Sequence, residues 1–119
     1  MTTLYGIPNC DTVKKARAWL NEHGVAHSFH DFKKQGVPEA ALDLWLAAAG
    51  WETLVNRKGT TWRGLDEATR LAVVDNPSAR AVLLLHPSLI KRPVVGWADS
   101  SVTVGFAPRD WAGRLGRVR

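Results

Sequence analysis

A short apolar run that breaks at a turn and then leads into an amphipathic helix is the feature that most constrains the fold of this chain. Leu4, Tyr5 and Ile7 suit a buried strand, which Gly6 and Pro8 interrupt. The dozen residues after the turn carry apolar side chains at helical spacing. The sequence therefore predicts a strand, a tight turn and a helix in close succession.

The only cysteine of the chain lies in this turn. Asn9 is a good N-cap, which predicts Cys10 at the first helical position. The amides of the first turn lack hydrogen-bond partners, and the start of the helix is the positive end of its dipole, so the amides and the dipole both favour a thiolate at Cys10. Lys14 and Lys15 favour the thiolate too, whereas Asp11 opposes it. Free cysteines are more often small buried hydrophobes, but those belong in apolar strands or inner helix faces. We therefore interpret Cys10 as a reactive thiol.

Length and composition indicate one globular domain, residues 1–119, with an apolar fraction of 45%. No apolar stretch approaches the roughly 18 residues of a membrane span, and no basic segment precedes a long apolar run. We therefore expect a cytoplasmic monomer without a membrane partner. A single cysteine excludes an internal disulfide and a self-contained dithiol mechanism.

The net charge of +5 raises the hypothesis of nucleic-acid binding, because clustered Lys and Arg supply affinity for phosphate backbones. The basic residues are instead spread along the chain, and no recognisable nucleic-acid-binding motif accompanies them. The distribution argues against a nucleic-acid partner.

The periodicity beyond the first helix, residues 11–23, predicts a framework of further strands. A second strand over 25–32 would join the first by a right-handed parallel crossover. Residues 91–106 read as a hairpin that a proline opens, and Pro108 begins a last helix.

The middle of the chain, from residue 38 to about 90, reads as a helical insertion. Helices are predicted from Pro38, from Asp66 and over 78–86. The last of these carries four consecutive apolar residues and is apolar nearly all round, so we expect it to be buried. Residues 56–63 read as a polar, basic loop.

This order of elements resembles the thioredoxin fold, an α/β fold with a mixed four-stranded sheet, here with an inserted helical subdomain. Three segments make the resemblance more specific. Residues 5–16 (YGIPNCDTVKKA), 56–63 (NRKGTTWR) and 86–94 (HPSLIKRPV) are similar to the arsenate reductase (ArsC)/Spx family, and most similar to its YffB-like branch. The match extends over essentially the whole chain.

The resemblance implies a role for each residue around the cysteine. Cys10 would be the nucleophile. Thr12 and the adjoining backbone amides, with Asn9 and Asp11 as neighbours, would hold the oxyanion or the thiolate.

The resemblance also implies two basic groups in the site. Arg92, directly before Pro93, would bind an anion, and the family's proline at this point is commonly cis. A guanidinium suits this role, since its planar fork matches an oxyanion or a glutathione carboxylate and favours a nearby thiolate. The second basic group would come from residues 56–63. Arg57 is our choice, with Lys58 and Arg63 as competitors.

The implied function is that of a glutathione-dependent thiol oxidoreductase. Thiolate Cys10 would attack a small oxidised substrate or a glutathione-containing disulfide and form a mixed disulfide. Because the chain has no second cysteine, glutathione or a glutaredoxin would complete the cycle. We expect glutathione as a co-substrate, and neither a bound cofactor nor a metal.

Two alternatives belong to the same resemblance. The first is a weak arsenate reductase, but the family's arsenate reductases carry a histidine shortly before the cysteine and a further arginine in the returning strand. Here those places read YGI (5–7) and VGF (104–106), which argues against efficient arsenate reduction. The second is a non-catalytic, Spx-like protein-interaction or regulatory module. Spx proteins often have a CxxC switch, whereas Val13 occupies the second cysteine's place.

Overall fold

The computed structural model describes residues 1–118, with side chains through Leu115. It contains two compact units: Met1–Lys33 with the chain from Arg92 onward, and Lys34–Lys91. The helical insertion predicted from about 38 to 90 lies within the second unit, and the single-domain organisation stays a prediction. None of the helices in the described part of the chain is long and apolar enough to cross a membrane.

The strands and helices alternate at first and then give way to a run of helices before the final hairpin. In chain order they are β1 (Thr2–Gly6), α1 (Asp11–Glu22), β2 (His27–Asp31), α2 (Phe32–Gln35), α3 (Glu39–Ala49), α4 (Trp51–Leu54), α5 (Thr60–Gly64), α6 (Glu67–Ala72), α7 (Asn76–Leu85), a 3₁₀ turn (Pro87–Leu89), β3 (Val94–Gly96), β4 (Val102–Val104) and α8 (Pro108–Val118).

The first unit contains a mixed four-stranded sheet in the order β2-β1-β3-β4. Strand β1 runs parallel to β2 and antiparallel to β3, and β3 pairs antiparallel with β4. The α/β class, the parallel crossover through α1 and the returning hairpin are therefore confirmed. This topology places the carboxyl end of β1 at the start of α1, where the cysteine lies.

The core of the first unit forms between α1, the sheet and α8. Its buried side chains are Leu4, Val13, Ala16, Leu20, Val95, Trp97 and Trp111. Trp111 of α8 packs edge-on against Trp97 and Phe106, with ring centroids 5.1 and 4.9 Å apart. Edge-to-face packing is a preferred geometry for aromatic rings. Because one face of α1 is buried in this core, the orientation of the helix about its own axis is fixed.

The second unit is helical, with two departures from the sequence prediction. The predicted loop 56–63 contains the start of α5, a short helix that begins at Thr60. Helix α7 is not buried all round: Ala79 and Leu83 are fully buried, whereas Leu85 is 77% exposed. Four consecutive residues on a helix point in four directions, so a helix that packs along one face leaves some of them exposed.

Candidate functional site

Cys10 is the N-cap of α1 rather than its first helical residue. Its backbone is extended, with φ −99° and ψ 123°, and its carbonyl accepts a hydrogen bond from the amide of Lys14 at 2.9 Å. The prediction that Asn9 is the N-cap is therefore wrong by one residue. The buried stripe of Val13 and Ala16 against the core sets where the helix starts, and this packing overrides the capping preference of asparagine.

The N-cap position places the sulfur where a capping oxygen normally accepts from the amides two and three residues later. Those amides belong to Thr12 and Val13. The sulfur makes no side-chain capping hydrogen bond of ordinary geometry. The two amides instead interact with the sulfur in a way that favours its charged form. The first turn of α1 thus keeps donors available to an anion.

Opposing influences act on the pKa of the Cys10 thiol. Partial burial raises it, because a thiolate is less well solvated there. The amide of Val13, the hydrogen bond and positive charge of Arg92, and the amide of Thr12 lower it. The lowering prevails, so the pKa lies below its ordinary value and more of the thiol is ionised at neutral pH.

Arg92 and Pro93 immediately precede β3, and their peptide bond is cis, as the resemblance implies. Pro93 is buried, and its carbonyl accepts a hydrogen bond from the amide of Gly105 at 2.8 Å. The next residue, Val94, pairs with Tyr5 near the end of β1. The sheet register therefore brings Arg92 to the edge where β1 leads into Cys10.

The remaining predicted residues of the first unit are exposed. Asn9 lies in the turn before Cys10, and Asp11 and Thr12 are the first two residues of α1. Of these, Thr12 acts on the thiol through its amide. Binding of a substrate anion by Asn9, Asp11 or the Thr12 side chain stays a prediction.

Arg57 belongs to the second unit. It is exposed, and its guanidinium carbon lies 5.4 Å from the centre of the Trp51 ring. A cation at this distance from an indole face is favourably placed. Its competitors Lys58 and Arg63 are also exposed. The contribution of any of the three to the site stays a prediction.

Sequence reasoning predicts that the amides of the first turn favour the thiolate, without naming Val13 among them. Val13 also lies on the buried face of α1, as its helical spacing predicts. With Cys10 at the N-cap, the amides of Thr12 and Val13 are identified as these donors, because capping side chains accept from the second or third helical residue.

No metal site accompanies the thiol: within residues 1–118, no three His, Cys, Asp or Glu side chains form a group that could hold a metal ion. The chemistry that the described residues support is that of an activated sulfur nucleophile next to a guanidinium.

A cysteine at the start of the helix that follows the first strand, with a cis proline immediately before the returning hairpin, defines a thioredoxin-like thiol protein. The sequence pattern of the ArsC family matches residues 5–113, and the chain belongs to this family. It has the fold of ArsC-type thiol oxidoreductases.

Solved structures and a curated relative agree with this assignment. The structure of the YffB protein is 47% identical, with a TM-score of 0.88, covering 95% of this chain and 97% of that one. An arsenate reductase (ArsC) related protein from Brucella melitensis is also 47% identical, with a TM-score of 0.73 and coverage of 96% and 93%. The global transcriptional regulator Spx of Streptococcus mutans is 28% identical over 93% of this chain and 86% of its own length. Within the ArsC/Spx family the chain falls in the YffB-like branch.

Proposed function

We propose that this protein is a glutathione-dependent thiol oxidoreductase with Cys10 as its single nucleophile. The observation that carries the proposal is the N-cap position of Cys10, where the Val13 amide and Arg92 favour the thiolate. The ArsC-type fold supports the same class of chemistry.

The proposed cycle has two exchange steps. The Cys10 thiolate attacks the glutathione sulfur of a small oxidised substrate that carries a glutathione disulfide. A Cys10–glutathione disulfide forms while the substrate sulfur leaves as a thiolate and is thereby reduced. The thiolate of a second glutathione, or of a glutaredoxin, then attacks the glutathione sulfur, releasing oxidised glutathione or a glutathionylated glutaredoxin and restoring the Cys10 thiolate.

Arg92 has two roles in this proposal. Its positive charge lowers the pKa of the Cys10 thiol, and its planar fork suits a carboxylate of the incoming glutathione. Thr12, with Asn9 and Asp11 beside the thiol, and Pro93 complete the proposed binding surface, and Arg57 is the proposed second basic group. A cycle that uses free glutathione fits the reducing cytoplasm expected from the single cysteine.

The test combines reduced glutathione titration, followed by NMR, with mass spectrometry after incubation with oxidised glutathione. We expect shifts of the amides near Cys10 and Arg92 and one covalently added glutathione, which Cys10→Ser abolishes. Absence of both the shifts and the adduct would remove glutathione from the proposed function.

A second candidate is a non-catalytic module that binds a protein partner, favoured by the similarity to Spx over 93% of the chain. Affinity capture with the wild-type protein and with Cys10→Ser separates the two candidates. A partner retained equally by both variants, in a protein without thiol turnover, would favour the binding module.

Weak arsenate reduction is the third candidate function, since the Brucella melitensis structure is described as that of an arsenate reductase related protein. An assay with arsenate, glutathione and glutaredoxin tests it. We expect turnover with arsenate to be much slower than with a glutathione disulfide.

A further inference from the structure

Gly6 is the last residue of β1 and is buried. Its φ does not lie in the left-handed region, unlike that of Gly24 or Gly36. The backbone at this position is therefore one that any residue could adopt, and conformational freedom does not explain the glycine.

The lack of space for a side chain at position 6 explains the glycine. A Cβ atom on Gly6 would lie 2.8 Å from Cγ2 of Val13 and 3.4 Å from its Cγ1. The first of these distances is shorter than carbon atoms tolerate. Val13 is fully buried in the same core as Leu4 and Ala16, and side chains in such cores are closely packed against their neighbours. A side chain at position 6 would displace the first turn of α1.

That turn holds the donors at the thiol. Val13 is the third residue of the helix whose N-cap is Cys10, and its amide points toward the side of the helix start where a capping atom sits. We infer that Gly6 is a positioning residue for Cys10: without a side chain, it lets Val13 pack against the end of β1 and so holds the first turn of α1 at the sulfur.

The inference rests on the proposed function in one respect, that the thiolate of Cys10 is the reacting form. The test measures the pH midpoint of Cys10 alkylation by iodoacetamide in Gly6→Ala and in the wild type. We expect the midpoint to rise by about one pH unit, which lowers the thiolate fraction up to about tenfold at pH values below both midpoints. A purely structural role would lower the melting temperature without moving this midpoint.

Two further variants control the experiment. Gly96→Ala is a matched strand substitution in the same sheet, where the new Cβ would meet only Tyr5 Cε1 at 3.9 Å, and it should leave the midpoint unchanged. Gly6→Ala/Val13→Ala removes the valine methyl groups that the new Cβ meets, and it should restore the wild-type midpoint.

The inference is overturned if folded Gly6→Ala alkylates with the wild-type midpoint, or if Gly96→Ala shifts it equally. If Gly6→Ala does not fold, the double variant decides. A folded double variant with a normal midpoint supports the inference, and an unfolded one or a raised midpoint contradicts it. Failure of the glutathione experiments would remove the proposed function but would leave these midpoints unaffected, so the two failures are distinguishable.

Discussion

Helices α1 and α7 begin in the same way along the backbone but differ in the side chains at their first turns. The N-cap of each is extended, Cys10 in α1 and Asp75 in α7. In α7, Asp75 Oδ1 accepts from the Ser78 amide at 2.9 Å, and Ser78 Oγ accepts from the Asp75 amide at 3.1 Å, which completes a capping box. In α1 the third helical residue is Val13, which cannot reciprocate.

The difference shows two uses of the same backbone donors. The hydroxyl and the amide of Ser78 lower the pKa of the Asp75 carboxyl, and the cap completes the fold of α7. At α1 the Val13 amide lowers the pKa of a thiol instead, and no side-chain cap forms. The start of α7 stabilises the helix, whereas the start of α1 leaves its donors to a reactive anion.

The sharpest way to break this comparison is to give α1 an ordinary cap. Cys10→Ser should reduce thiol turnover with glutathione disulfides to background, because a hydroxyl is not ionised at neutral pH. It should not destabilise the fold, since serine is a preferred N-cap. Turnover and thermal unfolding of the same preparation measure both effects. Residual turnover in Cys10→Ser would place the chemistry elsewhere.

Removing the guanidinium tests the electrostatic part of the difference. Arg92→Gln should raise the alkylation midpoint of Cys10 by about one pH unit, because both a hydrogen bond and a positive charge are lost. The midpoint of Arg92→Lys should lie between those of the wild type and of Arg92→Gln, since lysine keeps the charge without the planar fork. Arg109→Gln, an exposed position of the same unit, serves as the control. Equal midpoints in Arg92→Gln and Arg109→Gln would contradict the assigned role of Arg92.

Removing the cap of α7 should lower the stability of the fold without changing the Cys10 thiol. Ser78→Ala removes the oxygen that accepts from the amides of Val74 and Asp75 at 3.0 and 3.1 Å. We expect a loss of about 1 kcal/mol in the free energy of unfolding. Urea unfolding measures this loss, and the Cys10 alkylation midpoint should stay at its wild-type value. A shifted midpoint would mean that the two helix starts are not independent.

The smallest expected effect is a pH dependence of stability. A thiol whose pKa is lower in the folded state contributes stability that is fully present above its unfolded-state pKa of about 8.5. That contribution is lost as the pH falls through the folded-state pKa. The wild type should therefore gain stability relative to Cys10→Ser as the pH rises through this window. A difference that shrinks with rising pH would contradict the lowered pKa of Cys10.

Much of the framework was predictable because it follows from local patterns. The apolar run before Gly6, the helical stripe at Val13 and Ala16, and the hairpin before Pro108 each indicate one element, and each formed. The parallel crossover followed from the handedness of such connections. The family resemblance supplied Arg92, which lies more than 80 positions from Cys10 in the sequence, beyond the reach of local reasoning.

The features that were predicted wrongly or not predicted depend on packing. The start of α1 shifted by one residue because the core, rather than the capping preference of Asn9, sets it. The exposure of Leu85 could not be predicted, since apolar composition does not say which face of a helix finds a partner. The close contact between Gly6 and Val13 is likewise invisible in a sequence, because it depends on how closely β1 and α1 approach each other.

The most direct test of the central claim is the alkylation midpoint of Cys10 in the native protein, measured beside that of the same chain in denaturant. The denatured chain supplies the ordinary thiol value, about 8.5, from the same residue in the same sequence. The start of α1 and the guanidinium of Arg92 predict a native midpoint below the denatured one. A native midpoint equal to or above it would show that the fold does not lower the pKa of the Cys10 thiol and would contradict the account.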